Sequence, residues 1–284
     1  MRTAIIGLGA IAQKAYLPTL GTRPALDLHL LTRNRVTLDT VADSYRVPSN
    51  RRFTTLDALL AHPLDAAFVH AATPAHPEIV GRLLDAGIPT YVDKPLAPTI
   101  EASRALANHG GAPLMVGFNR RYAPAYATAA ESPRDVILLQ KNRTDDPGPI
   151  REVIYDDFIH VVDTLRFLLP GPANRMHVSG KVIDGLLHHV VLTLTGDGFS
   201  ATGIMNRRNG FDEERLETLG GGQKLTVVDL GAGGGGWTPI AHRRGIEQIC
   251  TRFLEAVQTG RFPDLALALA THEMCEDIIT ELTA

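Results

Sequence analysis

The chain has 284 residues, with 31 acidic and 28 basic side chains and a formal net charge of −3, so it has no general attraction to nucleic acid or anionic membranes. At 44% hydrophobic and 21% charged it has the composition of a soluble globular protein with enough length for two ordinary domains. Its two cysteines, Cys250 and Cys275, exclude a disulfide framework and fit a reducing compartment.

The chain opens on MRTAIIGLGAIAQ, which has one basic residue and no long apolar run, and no later stretch approaches the roughly 20 apolar residues that span a bilayer. A cytoplasmic protein is therefore expected. Residues 3–6 read as a short buried strand running into Gly7-Leu8-Gly9-Ala10-Ile11-Ala12. This is the G-x-G-x-x-A form of the dinucleotide fingerprint, placed after a strand and before a helix. Gly7 permits the tight turn, Gly9 lets backbone approach a pyrophosphate, and the helix opening at Ala10 and Ile11 presents its N-terminal N–H groups to that anion. A structural turn is the plainer reading of the same glycines.

A second strand, 26–31, ends at Thr32-Arg33-Asn34-Arg35, with no acid before Asp39. An acid there would bind a ribose 2′-hydroxyl, whereas a hydroxyl and two guanidinium groups suit a 2′-phosphate. Thr32, Arg33 and Arg35 thus predict NADP(H) over NAD, the alternative being solvated loop charges. A third strand, 66–69, precedes His-Ala-Ala-Thr-Pro. A helix over about 77–86 then closes on Gly87. Strand 90–92 leads into Asp93-Lys94-Pro95. Thr99 reads as the N-cap of a helix ending near Gly110, and 114–117 is a further strand. Short apolar strands alternating with helices imply a parallel sheet covered on both faces.

Beyond residue 118 the texture changes. Segments 135–141, 174–183, 187–194, 199–206, 213–219 and 223–229 read as strands, with Gly196-Asp197-Gly198 as the clearest hairpin turn. Helical patterns cover about 152–169, 241–258 and 265–283. The expected fold class is α/β, with a dinucleotide-binding Rossmann domain over 1–118 and an α+β domain over 119–284 on an open, mostly antiparallel sheet. The glycine run at 231–236 reads as a flexible link, or as a lid anchored by Trp237.

Two places carry chemistry. Lys94 follows a strand at the edge of the inferred nucleotide crevice, where partial burial lowers a lysine pKa and allows proton transfer. In YDDFIHVVD, residues 155–163, a regular helix puts Asp156, His160 and Asp163 on one face. That face can be a packed polar seam, an acid–base site or a metal site. No further Cys or His pair stands at ligand spacing, since His188 and His189 are adjacent and point to opposite faces of a strand. No metal is expected. Beside a nicotinamide, His160 can serve the proton that accompanies hydride transfer, with Asp156 or Asp163 orienting it.

These motifs resemble those of the Gfo/Idh/MocA oxidoreductases. The residues carrying the likeness are GLGAIA at 7–12, ATP at 72–74, VDKPLA at 92–97, GFNRRYAP at 117–124 and DDFIHVVDTLRFLL at 156–169, nearest in form to the MviM-type members. The resemblance implies a catalytic set of Lys94, Asp156 and His160, with Ala72, Thr73, Pro74, His76 and Asp93 beside the cofactor. Two departures stand out: Asp93 replaces the Glu of the E-K-P motif, and the acid after the second strand is absent. Arg121 and Tyr122, where the chain leaves the first domain, are candidate substrate contacts, hinge salt bridges being the alternative. Asp157, an extra acid beside the motif, joins them. The expected activity is hydride transfer between NADP(H) and a secondary alcohol or ketone of a sugar, cyclitol or related polyol, by a homodimer or homotetramer assembled through the second domain's sheet. Competing readings are a non-catalytic NADPH-binding sensor and a lyase or glycosidase that recycles its cofactor.

Overall fold

A computed structural model describes residues 1–231 and 238–284 and divides the chain into two compact units. Most of the glycine run, together with Trp237, lies outside the described residues, and with it the expected link or lid. Among those described, no helix is long and apolar enough to cross a membrane.

The first unit is Met1–Gly117 with Ile246–Leu269. Its strands are β1 (Arg2–Ile6), β2 (Asp27–Leu31), β3 (Arg52–Phe53), β4 (Ala66–Val69), β5 (Thr90–Val92) and β6 (Leu114–Val116). They form one parallel sheet in the order β3-β2-β1-β4-β5-β6, the doubly wound arrangement of dinucleotide-binding proteins. All four residues of β4 are fully buried, which is why this strand shows no alternation of apolar and polar residues. Thr99 caps its helix as expected, accepting from the Ala102 N–H. Asn34 and Thr55 cap two further helices, Arg35–Ser44 and Leu56–Leu60, that weak apolar periodicity leaves indistinct in the sequence.

The expected boundary needs one correction. The break after Gly117 is close to that at 118, but residues 246–269 return to the first unit. The helix Ile246–Thr259 buries Ile249, Cys250 and Phe253, and the Phe253 ring packs edge-on against Phe68 of β4 at 4.9 Å. An amphipathic pattern reports that a helix has an apolar face, not which sheet covers it.

The second unit is Phe118–Gly245 with Ala270–Ala284. Its strands are β7 (Val136–Asn142), β8 (Gly148–Pro149), β9 (Arg175–Ile183), β10 (Leu186–Gly196), β11 (Phe199–Asn206), β12 (Glu213–Gly220) and β13 (Gln223–Val228). The order is β13-β12-β7-β11-β10-β8, with β9 also on β10; β7 and β11 run parallel and every other pair is antiparallel. Two-residue turns at Asp184-Gly185, Asp197-Gly198 and Gly221-Gly222 close successive hairpins. Along β11 burial alternates residue by residue, so the sheet has one covered face. The cover is the helix Ile159–Leu168, seated so closely that a Cβ on Gly203 would lie 2.5 Å from Val161.

Candidate active site

The phosphate loop follows directly from β1. Gly7 donates its N–H to Leu31 O at 2.9 Å and has φ +88°, a left-handed conformation that favours glycine. Space excludes a side chain as well, since a Cβ there would lie 2.5 Å from Ala71 N. Gly9 differs: a Cβ built on it meets nothing within 4 Å. It faces a cavity of about 500 Å³, within the range of small-molecule sites. Gly7, Leu8 and Gly9 form one wall, Thr32 and Arg33 a second, Ala71 and Ala72 a third. Open space over a glycine at a helix start, with an arginine beyond β2, fits a dinucleotide phosphate.

Of the other expected cofactor residues, Ala10 and Ile11 form the exposed first turn of the loop's helix. Thr73 and Pro74 sit in the short turn Thr73–Ala75, whose Ala75 borders the cavity. Arg35 does not line it: its Nε contacts Asp39 at 2.8 Å. Asp39 also contacts Arg52, so the first acid beyond β2 is neutralised by two arginines. Thr54, Thr55, Glu78 and Ile79 also line it and escaped sequence reading, although Thr55 carried a usable signal as a threonine directly ahead of a helical segment.

His76 requires a correction. It is 1% exposed, and its two ring nitrogens each stand 2.9 Å from a backbone carbonyl, Nδ1 from Pro95 and Nε2 from Ala71. Burial pushes its pKa below the ordinary histidine value, against the pull of the two carbonyls. The ring serves the backbone instead of a cofactor because the first turn of its helix directs it inward.

Lys94 stands half-buried just past the C-terminal end of β5. Asp93 donates its N–H to Val69 O at 2.9 Å, and its Oδ1 accepts the Lys94 N–H at 2.9 Å, so the shortened acid organises the loop backbone. His70 Nδ1 lies 3.5 Å from the other Asp93 oxygen. The His70 side chain is fully buried, and its ring centre lies 3.9 Å from that of Tyr16, the two planes tilted by 35°.

In the second unit the YDDFIHVVD segment is not one regular helix. Ile154–Phe158 forms a π-turn, followed by the α-helix Ile159–Leu168. The wider π-turn breaks the 3.6-residue period, a feature frequent at functional sites. Asp156 is exposed and His160 half-exposed. Asp163, at α-helical i, i+3 spacing from His160, is 1% exposed and bonded to Arg121 and Thr271.

Arg121 and Asp157 also differ from expectation. The Arg121 guanidinium closes on Asp163 through Nε and Nη2 and lies over the Phe118 ring, the hinge salt bridge weighed as the alternative. Asp157 meets Lys141, Arg143 and Arg207. Burial pushes its carboxyl up, but Arg143 and Lys141 outweigh that and hold it well below the usual carboxylate range. Alongside, Arg120 binds Glu214 through two 2.7 Å contacts, and Tyr126 donates to the same carboxylate at 3.0 Å. Burial raises the Glu214 carboxyl, yet Arg120, Lys141 and Tyr126 hold it at about 2. Tyr122 remains half-buried. Among the described residues, no group of three or more His, Cys, Asp or Glu side chains is arranged to hold a metal ion.

A doubly wound parallel sheet, a glycine loop over an open cavity and a lysine after the fifth strand define a dinucleotide-binding oxidoreductase architecture. Residues 1–118 match the family described as "Oxidoreductase family, NAD-binding Rossmann fold", and residues 124–233 match "YceM-like, C-terminal domain". The chain is 33% identical to YceM of Salmonella typhimurium, whose name places it among the oxidoreductases, over 94% of this chain and 92% of that one. A dehydrogenase from Clostridium difficile, designated MviM, superposes with a TM-score of 0.88 at 29% identity, covering 99% of each chain. Inositol 2-dehydrogenase of Agrobacterium fabrum is 28% identical over 64% of this chain and 57% of its own. The chain belongs to the Gfo/Idh/MocA oxidoreductases.

Proposed function

We propose that this oxidoreductase uses NADP(H) to interconvert a secondary alcohol and a ketone on a sugar, cyclitol or related polyol. Arg33 on the cavity wall carries the cofactor preference, because Asp39, the first acid beyond β2, is held by Arg35 and Arg52. An arginine offers forked donors and fixed charge to a 2′-phosphate, and the acid that follows β2 is already paired with two guanidinium groups. The inositol dehydrogenase relative supports a polyol substrate. When bound, the nicotinamide supplies the hydride acceptor or donor. Lys94 and His160 exchange the accompanying proton with the reacting oxygen, and Asp156 positions His160. Tyr122 is retained as a substrate contact. The half-open sheet of the second unit, with β9 exposed along almost all its length, supports assembly into a homodimer or homotetramer, and a cytoplasmic setting fits the two buried free cysteines.

The test is cofactor consumption against a panel of keto-sugars, inosose-type ketones and sugar acids, with NADPH and NADH in parallel. Turnover is expected with NADPH well above NADH, and Arg33→Ala is expected to lower NADPH affinity about tenfold while leaving NADH within about twofold. Equal use of both cofactors would remove the Arg33 reading. Tight NADPH binding without turnover across the panel would favour a sensor or recycled-cofactor chemistry.

A further inference from the structure

We infer that His76 is a positioning residue for Lys94. Its ring is wedged between two loops of the first unit. Nδ1 lies 2.9 Å from the carbonyl of Pro95, the residue after Lys94, and Nε2 lies 2.9 Å from the carbonyl of Ala71, on the cavity wall. Ala71 is itself fixed from the other side, because the Gly7 backbone packs against it too closely to admit a Cβ. The proton-transfer loop is thus tied, through one side chain, to the wall that the phosphate loop presses on.

A neutral imidazole has one N–H, so it donates to one of these carbonyls and not to both. The Pro95 contact is fully buried and the Ala71 contact only partly so. A buried carbonyl left without a donor is costly, whereas a partly exposed one can turn to water. Hence the proton resides on Nδ1, and His76 acts on the Lys94 loop. Titratable groups near that loop include Asp93, whose Oδ1 takes the Lys94 N–H, and His70, 3.5 Å from Asp93 Oδ2, with the buried Tyr16, Tyr91 and Cys250 also within reach of the Asp93 charge. Releasing Pro95 lets Lys94 move relative to the Asp93 charge, which changes the proton affinity of its amine. The consequence for turnover rests on the reading of Lys94 as proton carrier; the loop geometry does not.

Two substitutions separate the ring nitrogens. His76→Asn places an amide donor near the Nδ1 position, and His76→Gln places one near Nε2. The readout is the pH dependence of Lys94 acylation by acetic anhydride in the full chain, followed by mass spectrometry, with NADPH titration and thermal unfolding run in parallel. Expected is a Lys94 midpoint displaced by about half a pH unit or more in the Gln variant and kept near wild type in the Asn variant. Both variants should fold and bind NADPH within about fivefold of wild type, the scale of a single lost hydrogen bond. Identical Lys94 midpoints in wild type and both folded variants, or interchangeable Asn and Gln variants, would overturn the inference. Should only one variant fold, its midpoint decides alone: a wild-type value in Gln, or a displaced one in Asn, refutes it. No substrate is needed, so failure of the proposed reaction and failure of this inference are read separately. Full turnover by Lys94→Ala with the Asn–Gln difference intact would remove the proton-transfer role and leave the positioning role standing.

Discussion

At the scale of single residues, the site divides into groups whose role is intrinsic and groups whose role is assigned by a neighbour. Lys94 belongs to the first kind: a half-buried amine at the C-terminal end of a parallel strand, with its backbone held by Asp93. If Lys94 carries the proton as proposed, Lys94→Ala should lower turnover by about 100-fold or more while NADPH binding is roughly kept. Steady-state kinetics beside a binding titration would check this, and unchanged turnover would end the assignment. Arg121 and Asp157 belong to the second kind. A buried-looking charge in a sequence can meet a ligand or an opposite charge, and both choices satisfy the same electrostatics. The fold chose Asp163 for Arg121 and three cations for Asp157. His76, expected beside the cofactor, meets two backbone carbonyls instead, and its direction follows from the helix turn on which it sits, which no local pattern reports.

At the scale of elements, the phosphate loop makes a paired prediction. Gly7 and Gly9 look alike in the motif and differ in the structure, one pressed on Ala71 and the other facing open space. Gly9→Ala should leave the unfolding temperature within a degree or so yet weaken dinucleotide binding about tenfold, because the methyl group occupies ligand space. Gly7→Ala should instead destabilise the fold by about 2 to 4 kcal/mol through left-handed backbone and steric conflict. Thermal unfolding alongside a fluorescence titration tells the two apart, and equal destabilisation would contradict the geometry. The same scale explains where the helix reading failed. A regular helix over 155–163 would stack Asp156 under His160, and the π-turn at Ile154–Phe158 breaks that spacing while His160 and Asp163 keep theirs in the α-helix Ile159–Leu168. A π-turn is selected by what packs on either side of it and leaves no dependable composition signal.

At the scale of the molecule, the second unit rests on a buried ionic network joining Arg120, Tyr126 and Glu214, with Lys141 and Asp157 nearby. Burial, with Arg120 close by, lowers the Lys141 ammonium to about 8, and Glu214 is held at about 2. A carboxyl whose folded pKa is depressed stabilises the fold above its unfolded value and loses that contribution as pH falls through the folded one. Glu214 taken from 4.5 to about 2 therefore contributes roughly 3 kcal/mol at neutral pH, lost progressively below about pH 4.5. Urea unfolding by circular dichroism at several pH values between 7 and about 2 should show this decline. In Glu214→Gln the protein should be less stable at pH 7 and less sensitive to acid, because Arg120 stays buried without its counter-charge whatever the pH. A variant with wild-type acid sensitivity would place the decline elsewhere.

What the amino-acid sequence determined by itself was whatever depends on near neighbours. The phosphate loop, the buried strands, the period-two strands of the second unit and the Asp197-Gly198 turn are local matters of side-chain alternation and backbone freedom. The tertiary structure alone decided that the helix Ile246–Thr259 completes the first unit, that Asp163 is bonded to Arg121, and that His76 bridges two loops. Each of those outcomes is settled by which distant group can satisfy a buried charge, carbonyl or apolar face. That partner is found only when the chain is folded, because burial creates the need it meets.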